Sequence, residues 1–249
     1  MKVSLITTCY NRAATIKGSI ESVLGQDYPD IEYIVVDGAS SDGTLDVVNQ
    51  YKDKITTIIS EPDNGMYEAI NKGLRAATGD IIGLVHSDDW LFSPSVISHV
   101  VECFNNTGAD FLYGDGIFVK PDDNNAVVRK WLGGAYRLWK VKHGWLPLHT
   151  TCYIKRDVLM RKGFYNETYK IAADSDFLLR LLLPGDLNVV YLQENIIKMR
   201  MGGLSTNSEK RRQMWREDEQ IYNSHGLSPR LSKIEKVLWK LPQYVRAKL

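Results

Sequence analysis

Residues Gly79–Trp90 read GDIIGLVHSDDW, and the fold follows from how this stretch is understood. It opens with a turn, Thr78-Gly79-Asp80, runs through Ile81–Val85 with one glycine, and stops on His86-Ser87-Asp88-Asp89. A short, unbroken apolar run between turn residues marks a strand covered on both faces, the usual case in a parallel sheet. In such sheets ligands sit in the crevice outside the carboxyl ends of the strands. Asp88 and Asp89 fall at that place. Adjacent carboxylates repel unless positive charge lies beside them, and a hard cation shared with substrate phosphates meets that need. The competing reading makes the pair a cap for the helix beginning near Ser93. Ser93 followed by Pro94 already forms a cap with proline at the first helical position, which leaves the two carboxylates without that job.

Upstream, strand and helix patterns alternate with short connections. Val3–Thr8 reads as a strand, then Ile16, Ile20, Val23 and Leu24 recur at helical spacing up to Gly25. Ile31–Val36 reads as the second strand, and Asp42 as the cap of a helix through about Tyr51. Ile55–Ser60 is the third strand, Met66–Ala77 a helix, and Ile81–Val85 the fourth strand. This alternation predicts a doubly wound parallel sheet. Right-handed crossovers would bring Tyr10, Asp37, the Asn64 loop and Asp88-Asp89 to one edge.

Downstream the pattern is mixed. A helix over Ser93–Asn105 precedes strands at Asp110–Gly114 and Ile117–Lys120, the latter pairing as a hairpin with Ala126–Lys130. A glycine-rich aromatic region, Trp131–Pro147, leads to a strand at Thr150–Lys155 and a helix from Asp157. Ile171–Leu183 reads as a helix, Leu187–Leu192 and Ile196–Met199 as two strands, and Met201–Ser205 as a loop. Helices are expected at Glu209–Ser224 and Ser228–Lys248.

Composition excludes several classes. A hydrophobic content of 44% and a charged content of 24% are ordinary for a globular domain. A net charge of +1 gives no footing for general nucleic-acid binding. The three cysteines, Cys9, Cys103 and Cys152, are scattered, so neither a disulfide framework nor a zinc site is indicated. No signal-peptide layout is present, and no apolar run approaches the ~20 residues needed to span a bilayer. The expected location is the cytoplasm. No G-x-G-x-x-G follows the first strand and no G-x-x-x-x-G-K-[ST] occurs, so a bound nucleotide must be held by side chains and a metal.

Several residues fit that task by type and place. Asp37, at the end of the second strand, could bond a ribose hydroxyl or base edge, or simply form an Asx-turn in the loop GASSDGT. Tyr10 offers an aromatic face to a base and Arg12 a guanidinium to phosphate. Gly65 gives the loop before the third helix backbone freedom. Gly73, mid-helix, costs about 1 kcal/mol relative to alanine, which signals a close approach. Asp174 lies at a helix start among small residues, where a carboxylate is favoured either as a cap or as a group open to substrate.

The series LITTCYNR, IVVDGASSDGT, DNGMYEAINKGLRAATGDIIGLVHSDD and AADSDFLLRL, in this order, resembles the family 2 glycosyltransferases with the GT-A fold. The likeness runs from about Val3 to Ser205. It implies an α/β, Rossmann-like, mostly parallel sheet with helices on both faces, abutting a smaller mixed acceptor-binding part and C-terminal helices. Residues 1–90 would form the nucleotide-sugar-binding half, 91–205 the acceptor-binding half of the same catalytic domain, and 206–249 a helical extension. The resemblance further implies a nucleotide-sugar donor, UDP-linked by family habit, Mg2+ or Mn2+, and inverting transfer to a hydroxyl of a saccharide or lipid-linked oligosaccharide in surface polysaccharide biosynthesis. By position, Thr8, Tyr10 and Arg12 would border the nucleotide, Asp37 would contact base or ribose, and Asn71 with the loop before it would close over the nucleotide. Asp88 and Asp89 match the metal-binding aspartates, Asp88 facing the ribose or sugar and Asp89 the metal. Asp174 matches the general base, and His149, in Pro147-Leu148-His149-Thr150, an acceptor-side histidine. Two departures stand out: Ala173 precedes Asp174 where the family has an acidic residue, and the nucleotide loop reads DGAS where it has two acidic residues before Gly-Ser.

Trp131, Trp139 and Trp145 could stack on a sugar ring or a lipid-linked acceptor, or pack in the core. The tail Arg230–Leu249 carries six Lys/Arg against one Glu, with Leu231, Ile234, Val237, Leu238 and Leu241 on one helical face. It could lie on the anionic inner face of a membrane or pack on the domain. Two rival functions are a sugar nucleotidyltransferase, for which TTCYNR lacks the required glycines, and a non-catalytic nucleotide-sugar-binding module.

Overall fold

The computed structural model describes residues 1–202, 208–229 and 239. The membrane-surface segment expected at Arg230–Leu249 lies outside the described residues except for Trp239, as does the helix expected beyond Ser228 except for Pro229 and Trp239. Of the Met201–Ser205 loop only Met201 and Gly202 are described.

The N-terminal alternation folds as read. The strands are β1 (Val3–Cys9), β2 (Ile31–Asp37), β3 (Thr57–Ser60) and β4 (Ile81–Leu84), joined by α1 (Ile16–Leu24), α2 (Thr44–Asn49) and α3 (Met66–Ala76). They pair in parallel in the order β3-β2-β1-β4, with Cys9 level with Asp37 and Asp37 level with Ser60. β1, β2 and β4 are buried on both faces because alternate residues feed two cores. Ile6, Ile34 and Val36 pack with α3, whereas Val3, Leu5, Tyr33 and Val35 pack with α1. Gly73 explains itself here. A Cβ at that position would come within 2.5 Å of Ile6 Cγ2, so α3 lies on β1 at a distance only glycine permits.

Beyond β4 the sheet turns mixed. It continues through β8 (Cys152–Lys155), β6 (Phe111–Val119), β9 (Val189–Arg200) and β5 (Trp90–Leu91), with β7 (Val127–Trp131) on β6. β8 is antiparallel to β4 and β6, while β9 runs parallel to β6. The helices α4 (Val96–Thr107), α5 (Leu138–Lys142), α6 (Arg156–Lys162), α7 (Ala173–Leu182) and α8 (Ser208–Ser224) complete the chain in order. α4 joins the α1 core; α6, α7 and α8 join the α3 core. No helix among the described residues is long and apolar enough to cross a membrane.

Four local expectations change. The strands expected at Asp110–Gly114 and Ile117–Lys120 are one strand, β6, because Gly114 and Gly116 do not turn the chain. They let Ile196 and Leu148 approach the backbone instead. Likewise the two strands expected between Leu187 and Met199 are one, β9, with irregular register opposite Asp115. The helix expected from Ser93 begins at Val96, and the Ser93-Pro94 cap is not formed. Gln26 accepts the Ile97 N–H through Oε1 at 3.1 Å, supplying the missing partner from α1's end. Thr150 and Thr151 belong to a 3-10 turn, His149–Thr151, rather than to β8.

At the opposite end of the sheet from the carboxyl edge, Glu32 ties three strands together. Its carboxylate accepts Lys2 Nζ at 2.8 Å, Ser4 Oγ at 2.5 Å, and the Thr78 N–H and Oγ1 at 2.7 and 2.6 Å. Burial pushes this carboxyl up, but the bonds from Lys2, Ser4 and Thr78 outweigh it and hold the group at about 2. A folded value below the ordinary one contributes stability above the unfolded-chain pKa, ~4.3, which is lost as pH falls through the folded value. Glu32→Gln is therefore expected to unfold more easily at neutral pH and to show a flatter acid limb between about pH 4 and 2. Urea titrations across that range check this; parallel acid limbs would refute it.

Candidate active site

The carboxyl edge of the parallel half is organised by bonds between the loops that leave β1 and β2. Asn11 takes a left-handed φ of 52°, a conformation asparagine tolerates. Its N–H donates to Ser40 Oγ at 2.9 Å and its Oδ1 accepts the Ser41 N–H at 3.0 Å. The Arg12 N–H donates to Thr44 Oγ1 at 2.7 Å and the Ala13 N–H to Asp42 Oδ2 at 3.1 Å. This lacing leaves the Tyr10 ring 60% exposed, with Thr8 and Arg12 beside it on a cleft of about 590 Å³.

Asp37 and Asn71, both expected to touch the nucleotide, do not line that cleft. Asp37 is 0% exposed. Its carboxylate accepts the Ser40 N–H at 3.1 Å, the Ser40 and Ser60 hydroxyls at 2.5 and 2.8 Å, and the Cys9 thiol at 3.6 Å. Those four donors occupy the lone pairs a ligand would need. Asp37 organises the loop, the Asx-turn alternative. Asn71 is equally occupied. Its Nδ2 donates to Tyr165 O at 2.9 Å and Glu167 Oε1 at 2.6 Å, and its Oδ1 accepts the Tyr165 N–H at 3.0 Å. The loop before α3 does reach the cleft, through Asp63, Gly65 and Met66. Gly65 holds a φ of 135°, and Glu68 reaches back to accept the Asn64 N–H at 2.9 Å.

Asp88 and Asp89 both line the cleft but differ sharply. Asp89 is 2% exposed. Its Oδ1 accepts the Arg200 N–H at 3.2 Å, while its Oδ2 is buried with no partner. Burial, then the neighbouring Asp88, push the Asp89 carboxyl well above the usual range. An orphaned buried carboxylate oxygen beside a second carboxylate fits a hard divalent cation. Among the described residues no group of three or more His, Cys, Asp or Glu could hold a metal alone, so phosphates and water would complete the coordination.

Asp174 stands in the first turn of α7, on the same cleft. Its Oδ1 accepts the Ser175 N–H at 2.9 Å and lies 3.4 Å from the Tyr67 hydroxyl, which also donates to Ile171 O at 2.8 Å. His86 and His149 line the cleft too, their rings 5.3 Å apart. Burial, then His149, lower His86 to about 4, and burial lowers His149 to about 4, so both imidazoles are neutral near pH 7. Trp131 and Trp145 form the far wall with Phe118, Arg129, Met199 and Met214. Trp139 does not belong there. It is 55% exposed and packs against His143 and Trp239, whose Nε1 donates to His143 O at 3.0 Å.

The family model described as glycosyl transferase family 2 matches residues 4–168, well over half of the chain. The chain belongs to glycosyltransferase family 2. A PGL/p-HBAD biosynthesis glycosyltransferase of Mycobacterium bovis is 28% identical to it over 207 residues, 81% of this chain and 78% of that protein. An uncharacterized glycosyltransferase of Mycobacterium tuberculosis is 30% identical over 189 residues, 73% of this chain and 69% of that protein. In fold the chain resembles S. aureus TarS 1-349 in complex with UDP-GlcNAc, with a TM-score of 0.74 at 19% identity over 96% of this chain and 71% of that one. It also resembles the mannosyltransferase PcManGT of Pyrobaculum calidifontis in complex with GDP-Man and Mn2+, with a TM-score of 0.68 at 20% identity, covering 99% and 73%. This family 2 glycosyltransferase has the GT-A fold.

The structure thus brings Thr8, Tyr10, Arg12, Asp88, Asp89, His149, Trp145 and Asp174 of this family 2 glycosyltransferase to one cleft and leaves Asp37 and Asn71 behind it. The sequence reading missed His86, Arg129, Arg200, Tyr67 and Asp218, which line the cleft as well. His86 stood inside the opening stretch and could have been picked out as a polar group at a strand end. Nothing local pairs Arg200 with Asp89. Because the Asp89 carboxylate is buried beside Asp88, Asp89→Asn, which removes that charge, is expected to leave the metal-free protein at least as stable as the wild type. With a nucleoside diphosphate present to complete the coordination, the wild type should gain melting temperature on addition of Mn2+ and the variant should not. Thermal melts with and without Mn2+ decide; equal Mn2+ shifts in both proteins would remove Asp89 as a ligand.

Proposed function

We propose that the protein is an inverting, divalent-cation-dependent hexosyltransferase that moves a sugar from a nucleotide-sugar, UDP-linked in preference, to a hydroxyl of a saccharide or lipid-linked oligosaccharide in surface polysaccharide biosynthesis. The observation that carries this reading is that Asp174 and the Asp88–Asp89 pair line one cleft from separate elements. Residues 1–90 supply the donor side, residues 91–205 most of the acceptor side, and α8 from the extension closes it.

In this reading the exposed Tyr10 ring stacks on the base and Arg12 pairs with phosphate, with Thr8 beneath them. Asp88 faces the ribose or sugar. Asp89, with Asp88, would hold Mg2+ or Mn2+, which would supply positive charge against that building on the leaving diphosphate. Asp174 takes the proton of the acceptor hydroxyl as its oxygen bonds to the anomeric carbon and the bond to diphosphate breaks. Attack from the face opposite the leaving group inverts the configuration. The neutral His86 and His149 orient hydroxyls through hydrogen bonds, and Trp145 with Trp131 offers the acceptor an aromatic wall. A retaining hydrolase would instead want two carboxyl groups flanking the bond ~5 Å apart, without a metal.

Support for the donor class comes from the folds it shares, one holding UDP-GlcNAc and the other GDP-Man with Mn2+. A nucleotidyltransferase is disfavoured because the loop after β1, Tyr10–Arg12, is held by side-chain lacing rather than by glycines. A non-catalytic module would not require Asp174 beside the cation pair. Asp174→Asn is expected to lower transfer about 10²–10⁴-fold while Mn2+-dependent nucleotide affinity stays unchanged. Isothermal titration and a coupled nucleotide-release assay measure both, and persistent turnover would dismiss Asp174 as the base.

The basic, amphipathic Arg230–Leu249 segment is proposed to bring the enzyme to a lipid-carried acceptor at the inner face of a membrane. Truncation after Ser228 should abolish co-sedimentation with anionic liposomes; unchanged sedimentation would end that idea.

A further inference from the structure

The chain enters α7 through Lys170, Ile171 and Ala172, whose three successive N–H groups all go to one side chain. Glu217 Oε1 accepts the Lys170 N–H at 3.1 Å, and Oε2 accepts those of Ile171 and Ala172 at 2.8 and 2.9 Å. Gln213, one turn earlier on α8, donates Nε2 to Oε1 at 2.8 Å. Glu217 is only 7% exposed. From the other side the Tyr67 hydroxyl donates to Ile171 O, so this residue is held at its N–H by α8 and at its carbonyl by α3. Asp174 follows three residues later, and the same Tyr67 hydroxyl lies 3.4 Å from its Oδ1.

A buried carboxylate is costly unless its lone pairs are used, and here backbone dipoles use them. Simple adhesion of α8 to the body needs no such group, because Ile221 and Tyr222 already pack in the core one turn on. What the carboxylate adds is direction. Three N–H groups converging on two oxygens fix the orientation of three peptide planes, and with them the point from which Asp174 projects. The same helix places Met214 and Asp218 on the cleft wall.

We infer that Glu217 is a positioning residue for the general base, holding the Lys170–Ala172 backbone so that Asp174 meets the acceptor hydroxyl. The inference rests on the reading of Asp174 as the base. It places a determinant of turnover on α8, beyond the residues 4–168 matched by the family model. Glutamine at 217 keeps the shape but turns an NH2 toward a backbone N–H, so one acceptor is lost; alanine loses both.

The test uses the full chain as wild type, Glu217→Gln and Glu217→Ala, with the exposed Glu219→Gln as control. Hydrogen exchange by mass spectrometry follows the 170–172 amides, titration with UDP and Mn2+ reports donor-side binding, and UDP release from UDP-GlcNAc reports turnover. Both Glu217 variants are expected to exchange the 170–172 amides faster and to lose at least tenfold in kcat. UDP affinity and the KM for donor should stay within twofold, and Gln should retain more activity than Ala. Unchanged exchange, kcat within twofold of wild type, or UDP affinity falling in step with kcat would overturn the inference. A wild type that binds no UDP or GDP would count against the transfer reading itself, and the exchange arm would still decide for or against the Glu217 clamp.

Discussion

One carboxylate divides its two oxygens between scaffold and site. Asp89 Oδ1 accepts the N–H of Arg200, the last residue of β9, and so joins chain positions 111 residues apart. Around this bond the sheet closes. The β5 segment, Trp90–Leu91, pairs with Lys198 and Ile197, and Ser19 of α1 donates its hydroxyl to Asp89 O at 2.7 Å. The Arg200 guanidinium lies over the Trp90 ring at 4.8 Å. With its backbone and one oxygen held in this way, Asp89 cannot turn its other oxygen elsewhere. The unpaired Oδ2 is a cost the folded chain carries, of the kind that concentrates at ligand sites and disappears when a ligand arrives.

The rest of the cleft is arranged on that frame by a division between rigid and laced parts. The parallel strands set the depth of the edge, since β1, β2 and β3 end level with one another. The loops that leave them have little apolar burial, and side-chain bonds from Asn11, Ser40, Thr44 and Asp42 hold them instead. Across the cleft, Asp174 takes its place from a helix start, where the macrodipole favours a carboxylate and the preceding backbone is held from two sides. The two neutral imidazoles add no charge near pH 7, which leaves the electrostatics of the cleft to its carboxylates, its arginines, Lys170 and any bound cation.

Asp37 was legible as a polar group at a strand end, but whether it faced ligand or loop depended on Ser60, on another strand, and on the thiol of Cys9. Asn71, which the resemblance put over the nucleotide, is instead taken up by the Tyr165 backbone, 94 residues away. The strand expected to end at Gly114 runs on through Gly116. Both glycines are strand residues because Ile196 and Leu148 need the space.

The sequence by itself determined the βα alternation, the parallel character of its first half, and the placing of Tyr10, Arg12, Asp88, Asp89 and Asp174 at element ends. Those follow from apolar periodicity, turn chemistry and the short reach of one strand–helix unit, all of them local. Tertiary structure alone decided which polar groups stay open to a ligand and which are consumed by the scaffold. Glu217, Tyr67 and Arg200 entered the site only through partners 45 to 111 residues distant. The physical reason is that a hydrogen bond is satisfied by whatever donor the fold brings within reach, and that donor has no fixed spacing in the chain.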